Sequence, residues 1–203
     1  PLSAYIAARR QKDEFISRPR FLAISEFGPR AIVYHEGSHY IINRVIMPPR
    51  EDGGAITTEI KRCSNCGYIH PADRMGIDLC EYCDSPLDQP IRSLFRVQNV
   101  STKRRDRINS DEEERQRLGY DMLSGIRFAT HADGLSRRVA TVRDGENVLA
   151  QLTYGQAATL WRINLGWRRR QNKNLYGFVL DTERGYWKRN ELNSEEEDPE
   201  DPL

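Results

Sequence analysis

Four cysteines, Cys63, Cys66, Cys80 and Cys83, stand as two C-x2-C pairs separated by thirteen residues. Each pair can grip a metal from a tight knuckle, and two knuckles facing one another complete a tetrahedron of thiolates, the arrangement that suits zinc. Four thiolates close the coordination shell. The expected cofactor is therefore one structural Zn2+, with no position left for a catalytic water. Gly67, directly after Cys66, permits the positive φ that turns backbone N–H groups toward sulfur. Two disulfides or four free thiols are the alternatives, but a disulfide framework belongs to secreted chains. Neither a basic n-region nor an apolar h-region opens this sequence. His70 could reach the site by position; with four cysteines present it is expected to be an ordinary surface histidine. The span from Cys63 to Cys83 has few large apolar side chains, so coordination should supply much of its order.

A second constellation runs from Trp161 to Lys173, with five cations and two indoles in thirteen residues. Arginine forks a phosphate in two-point fashion and an indole stacks on an unpaired base. Tyr186-Trp187-Lys188-Arg189 repeats the combination, and Lys103 to Arg107 is a third basic patch. Arg162, Trp167, Arg168, Arg169, Arg170, Lys173, Lys188 and Arg189 are the expected nucleic-acid contacts, made to the backbone with little sequence readout. The alternative is that the arginine run faces acids of a neighbouring domain or of the chain's own tail. Trp161 is expected in the core.

Other chemistries find no residues. There is no G-x-x-x-x-G-K-[ST] loop. Asp111-Glu112-Glu113-Glu114 lacks the apolar strand that precedes an acidic helicase box and reads as the start of a solvated helix. No Ser/His/Asp or Cys/His set emerges, so no catalytic residue is assigned. Histidines 35, 39, 70 and 131 have no metal-ligand company, and His35 and His39 flank a turn.

The elements that must position these residues read as mixed. Ala4 to Glu14 suggests a polar helix. Pro19 to Phe27 suggests a short helix with Pro19 in its first turn and Gly28 ending it. Residues 31–34 and 39–42 form a hairpin signal around Glu36-Gly37-Ser38. Residues 47–54 read as a loop and 94–97 as a strand. Ser110 and Glu113 form a capping box. Residues 125–129 read as a strand, and 138–142 and 148–152 as a hairpin around Asp144-Gly145. Gln156 to Leu165 switches to helical spacing of apolar residues, with Gly166 as a stop. Residues 178–180 are a last strand.

Together these predict an α+β fold: a β-rich, two-lobed module with a four-cysteine zinc-ribbon-like insertion and a few short helices. The N-terminal lobe spans 1–100 and contains the zinc segment at 61–87. The C-terminal lobe spans 101–190 and carries the basic and aromatic patch. A tail at 191–203 is expected to be disordered.

The 203 residues carry a net charge of +1, which hides an asymmetry. The tail holds seven acids and no base; without it, 31 bases face 23 acids, a charge of +8. A basic body points to a polyanionic partner. No apolar run approaches the roughly 18 residues of a membrane span, so no membrane partner is expected and the location expected is the cytoplasm. A start on Pro1, without methionine, suggests a piece of a longer polypeptide.

Three stretches stand out together. The first comprises Ser17-Arg18-Pro19, Ala23 to Pro29 and Ile32 to Tyr40. The second is Ser110 to Tyr120. The third is Trp161 to Arg170, followed by Gly177 to Asp181 and Gly185-Tyr186-Trp187. In this order they resemble the C-terminal zinc-binding region of bacterial superfamily 2 DEAD/DEAH-box helicases, of the MrfA-like and DISARM DrmA types. The resemblance covers most of residues 17–190, with the cysteines between the first two stretches. It implies a domain downstream of two RecA-like motor domains outside this chain, where ATP is bound and hydrolysed. It also implies that zinc supports a surface near the translocating DNA strand, in a protein of antiviral defence. The expected function is a non-catalytic accessory domain of a DNA helicase or translocase, partnered by DNA, the motor domains and other defence-complex proteins. The alternative from a different class is a zinc-stabilised protein–protein adaptor.

Overall fold

The computed structural model describes residues 1–6, 14–47, 57–105, 119–131, 134–170 and 172–188. The capping box at Ser110, the acidic run 111–114, most of the loop at 47–54, Arg107, Arg189 and the acidic tail lie outside the described residues. The fold is β-rich, as expected, and among the described residues it has one short α-helix where a few short helices were expected.

The described residues divide into two compact units, each built from segments on both sides of residue 100. The first comprises Pro1–Thr57, Phe95–Leu123 and Arg162–Leu203. It contains a five-stranded sheet in the order β2-β1-β8-β4-β3, formed by β1 (Leu2–Ile6), β2 (Glu14–Arg18), β3 (Ile32–His35), β4 (Ser38–Val45) and β8 (Val100–Arg105). β1 lies parallel to β8, and the other pairs are antiparallel. β15 (Val179–Leu180) and β16 (Trp187–Lys188) form a short ribbon in the same unit.

Of the polar helix expected from Ala4 to Glu14, residues 7–13 lie outside the described residues, and the ends are strand instead: Ala4 to Ile6 in β1 and Glu14 in β2. Leu2, Ala4 and Ile6 are buried while Ser3 and Tyr5 are less so. A period of two places those three side chains on one face, and the gain from burying them outweighs the helix propensity of the alanines. The β3–β4 hairpin is where the sequence places it. Glu36 and Gly37 both take positive φ, 46° and 71°, the requirement of a type I′ turn.

Helix α1 (Arg20–Glu26) is also where expected, with Pro19 at the N-cap rather than inside the first turn. The N–H groups of Leu22 and Ala23 both donate to Pro19 O at 3.0 Å. Gly28 follows the helix for a reason other than stopping it. A Cβ there would lie 2.7 Å from the Tyr120 ring, whose hydroxyl donates to Pro29 O at 2.8 Å. The core of this unit joins Leu2, Ala4, Ile42, Val45 and Val100 of the sheet to Ala23, Phe27 and Tyr120.

The second unit comprises Thr58–Leu94 and Ser124–Trp161. β5 (Thr57–Arg62) is central in a three-stranded sheet, between β6 (Ile69–Pro71) and β7 (Ile91–Phe95). A 3-10 turn spans Ala72–Arg74. β10 (Thr130–His131) pairs with β11 (Gly134–Leu135), and β12 (Arg138–Asp144) with β13 (Asn147–Tyr154), the expected hairpin turning at Gly145. Its core is Cys63, Tyr68, Cys80 and Phe128.

The predicted helix over 156–165 is instead strand β14 (Ala158–Trp167), paired with β9 (Tyr120–Phe128). Thr159, Trp161, Ile163 and Trp167 have β-branched or aromatic side chains that favour a pleated surface. Tertiary pairing with β9 overrides the accidental helical spacing. Gly166 stops no helix: it sits inside β14 with φ 107°.

Candidate metal centre and arginine-rich segment

The two cysteine pairs sit in knuckles with one hydrogen-bond pattern. Cys63 N donates to Tyr68 O and Gly67 N to Cys63 O, both at 2.9 Å; Cys80 N donates to Ser85 O and Asp84 N to Cys80 O, again at 2.9 Å. The residue four after the first cysteine takes positive φ in each, 74° at Gly67 and 56° at Asp84. That turn brings the second cysteine of each pair back beside the first. Asp is tolerated at Asp84 because its short polar side chain is among the few compatible with left-handed backbone.

The knuckles face each other. Cys63 Sγ lies 3.6 Å from Cys83 Sγ, and Cys66 Sγ 3.6 Å from Cys80 Sγ, with all four sulfurs within 4.8 Å of one another. A disulfide would need about 2.05 Å. A tetrahedral ion with metal–sulfur bonds of about 2.3 Å places its sulfurs about 3.8 Å apart. The donor set therefore fits one tetrahedral metal ion, and these four cysteines are positioned to hold it.

The surroundings act differently on the four sulfurs. Burial pushes the Cys66 and Cys80 thiols up, so charge at those sulfurs needs a cation. Cys83 is drawn down to about 6 by hydrogen bonds from the Ser85 hydroxyl and backbone. Ser85 Oγ lies 3.4 Å from Cys83 Sγ. Asn65 Nδ2 donates to Ser85 Oγ at 3.0 Å and approaches Cys83 Sγ at 3.6 Å, linking one knuckle to the other.

His70 corrects an expectation. It is fully buried, not a surface residue, and it is outside the sulfur cluster. Ile69 and His70 are adjacent in β6 and both buried, so both faces of this strand are covered; Tyr68 is edge-on to His70 at 5.3 Å and Glu81 Oε2 lies 3.4 Å from its Nδ1. Burial lowers its basicity. Glu81 accepts from Arg127 Nη1 at 2.9 Å, and Arg127 also donates to Ile69 O at 3.1 Å. Burial opposes the Glu81 charge, but Arg127 outweighs it and holds the carboxyl below its usual range. Tyr68, Tyr82 and Phe128 stack behind the sulfurs, with ring centroids 5.5–6.2 Å apart.

Sequence spacing identified the four cysteines but missed this supporting layer. The available signal was the aromatic or polar residue beside each knuckle: Tyr68, Tyr82, Asn65 and Ser85. Among the described residues a second group, Glu14, His35 and Glu36, also brings three ligand atoms within 4.8 Å. His35 Nε2 and Glu14 Oε2 are 2.8 Å apart.

The expected nucleic-acid contacts differ in how committed they are. Arg168 is exposed; its backbone N–H is tied to Gly119 O at 3.1 Å. Arg169 is exposed too. Arg162 is half-buried, donating to Phe21 O at 2.9 Å with its guanidinium 4.5 Å above the Phe21 ring. Arg170 is drawn inward: its side chain is 8% exposed and bonded to Asp121 at 2.9 Å, Trp167 O at 3.1 Å and Lys173 O at 3.2 Å. Lys173 Nζ donates to Arg168 O. Lys188 is exposed, 3.6 Å from Asp181. Trp167 stacks on Tyr120 at 4.6 Å and meets Phe178 edge-on at 6.2 Å. Trp187 is also edge-on to Phe178, at 6.0 Å. Trp161 lies half-buried in β14, not on a helix.

In comparison with known proteins, no family model, curated protein or solved structure matches the chain.

Proposed function

We propose that this chain is a zinc-stabilised, non-catalytic accessory domain of a DNA helicase or translocase. It acts in the cytoplasm, within a protein of antiviral defence whose ATP-binding motor domains precede it. The observation that carries the reading is the four-sulfur cluster. A tetrahedral all-thiolate site is the hallmark of structural zinc; iron is the other ion such a site takes. A closed shell gives the metal a folding role. The nucleic-acid part is supported by Arg162, Trp167 and Arg168, carried by β14 and its exit, and by the basic excess of residues 1–190.

Elemental analysis of the purified chain should find one zinc per chain and no iron. Binding of a fluorescent single-stranded oligonucleotide should weaken steeply with salt. Engagement of about four phosphates corresponds to a log–log slope near −3 on a single strand. The double change Arg168→Glu, Arg169→Glu should abolish most of that binding while leaving zinc content at one. An iron-loaded chain overturns the zinc assignment, and salt-insensitive or absent DNA binding overturns the accessory role.

One observation favours the adaptor reading. In the β12–β13 hairpin the register pairs Ala140 with Leu152 and Val142 with Ala150. Val142, Leu152 and Tyr154 are 44%, 61% and 65% exposed. An apolar face of this kind suits a protein partner. If Leu152→Glu releases a co-purified motor domain while DNA affinity is unchanged, the adaptor reading takes precedence.

A further inference from the structure

A cavity of about 360 Å³ opens in the first unit. Its lining includes Ile32, Tyr120, Met122, Arg162, Trp167 and Arg168. Strict strand alternation would send Arg162 and Trp167 to opposite faces. Gly166, with its φ of 107°, breaks that alternation between them, and both residues line the same cavity.

The lining has two characters. The Trp167 indole, backed by Tyr120 at 4.6 Å with the rings 26° apart, forms a flat aromatic wall, and Ile32 and Met122 extend the apolar surface. Arg162 and Arg168, two residues that carry guanidinium groups, also line it. Glu26 also lines the cavity, but its Oε2 is paired with Arg18 Nε at 2.9 Å, so the balance is positive. Arg162 is held in place by Phe21, and that single hydrogen bond leaves donors over from the five a guanidinium carries.

A ligand that satisfies both characters is a flat aromatic ring attached to an anion. The volume lies at the small end of ligand pockets, which run about 300–1,000 Å³, and suits one nucleotide. A base held in a duplex cannot reach such a wall without leaving its stack. We propose that this cavity takes one unpaired nucleotide of a single strand, its base against Trp167 and its phosphate between Arg162 and Arg168. The proposal rests on the nucleic-acid reading above and specifies where and in what form the strand binds.

The test uses the full zinc-loaded chain with a 20-nucleotide oligo-dT and a 20-base-pair duplex, followed by tryptophan emission and by anisotropy. Oligo-dT should quench the emission and the duplex should not. Arg168→Glu should weaken oligo-dT binding by at least about tenfold and duplex binding by less than about threefold, a contrast a stacked base and its phosphate would produce. Trp167→Phe, which keeps an aromatic ring on Tyr120, should remove the quench while weaker binding persists. Zinc content and melting temperature check that each variant folds, and Arg168→Gln serves if Arg168→Glu does not. Equal binding of both DNAs, weakened equally by Arg168→Glu, overturns the cavity and leaves the nucleic-acid reading standing. So does a single-strand preference that neither variant alters. No binding of either DNA overturns both.

Discussion

Replacing Cys80 by serine removes one of four sulfurs from the metal centre and places a hydroxyl where the side chain is 1% exposed. Structural zinc contributes roughly 10–16 kcal/mol in small domains, so one ligand of four is worth about 3–4 kcal/mol. Leaving a buried hydroxyl without a good partner adds about 1–3 kcal/mol. The combined loss, about 4–7 kcal/mol, rivals the whole stability of a typical domain, about 5–15 kcal/mol. The buried cluster of the second unit joins two of the cysteines to Tyr68 and Phe128, with Cys66 and Cys83 packed against it, so the sulfurs are part of its core. Cys80→Ser should therefore lose the metal and unfold residues 58–94 and 124–161, while the sheet of the first unit persists. Hydrogen–deuterium exchange read peptide by peptide, with elemental analysis alongside, measures both. A strong chelator should lower the melting temperature of the wild type and leave Cys80→Ser unaffected. If the wild type carries no metal, and Cys80→Ser costs only the ~1–3 kcal/mol of a buried hydroxyl with no chelator dependence, the centre is not metal-stabilised.

Two further changes probe the backbone that builds the fold. Gly28→Ala pushes a methyl to 2.7 Å from the buried Tyr120 ring, which is clamped by Trp167 and Phe178; chemical denaturation should show a loss of about 1–3 kcal/mol. In the second knuckle, Asp84→Gly relieves a non-glycine residue at φ 56° and should match or exceed wild-type stability. The same-position change in the first knuckle, Gly67→Ala, should cost about 1–2 kcal/mol. A stability fall in Asp84→Gly as large as that in Gly67→Ala would refute the equivalence of the two knuckles.

Features that depend on neighbouring residues were legible. The β3–β4 and β12–β13 hairpins announce themselves through Glu36-Gly37 and Asp144-Gly145, because a tight turn is a local demand on φ. Helix α1 does so through Pro19. Strands β1 and β14 run against their local pattern: Ala4 to Glu14 reads as a polar helix, and Gln156 to Leu165 carries an apolar spacing compatible with a helix. The partners that decide them, β8 for the one and β9 for the other, lie far away in the sequence, and no local pattern encodes those pairings. His70 was misplaced for the same reason: its burial depends on Glu81 and Arg127, neither adjacent to it in sequence.

Read alone, the sequence determines the candidate metal centre. Four cysteines at knuckle spacing carry their own chemistry, because each pair needs only a local turn to bring its two sulfurs together. The tertiary structure decides how each basic side chain is used. Arg168 and Arg170 are two residues apart and chemically identical, yet one is exposed and the other is bonded to Asp121 with its side chain 8% exposed. Whether an arginine can meet a phosphate depends on the acids, carbonyls and rings the fold brings to it, and those come from β9 and α1, distant in the chain.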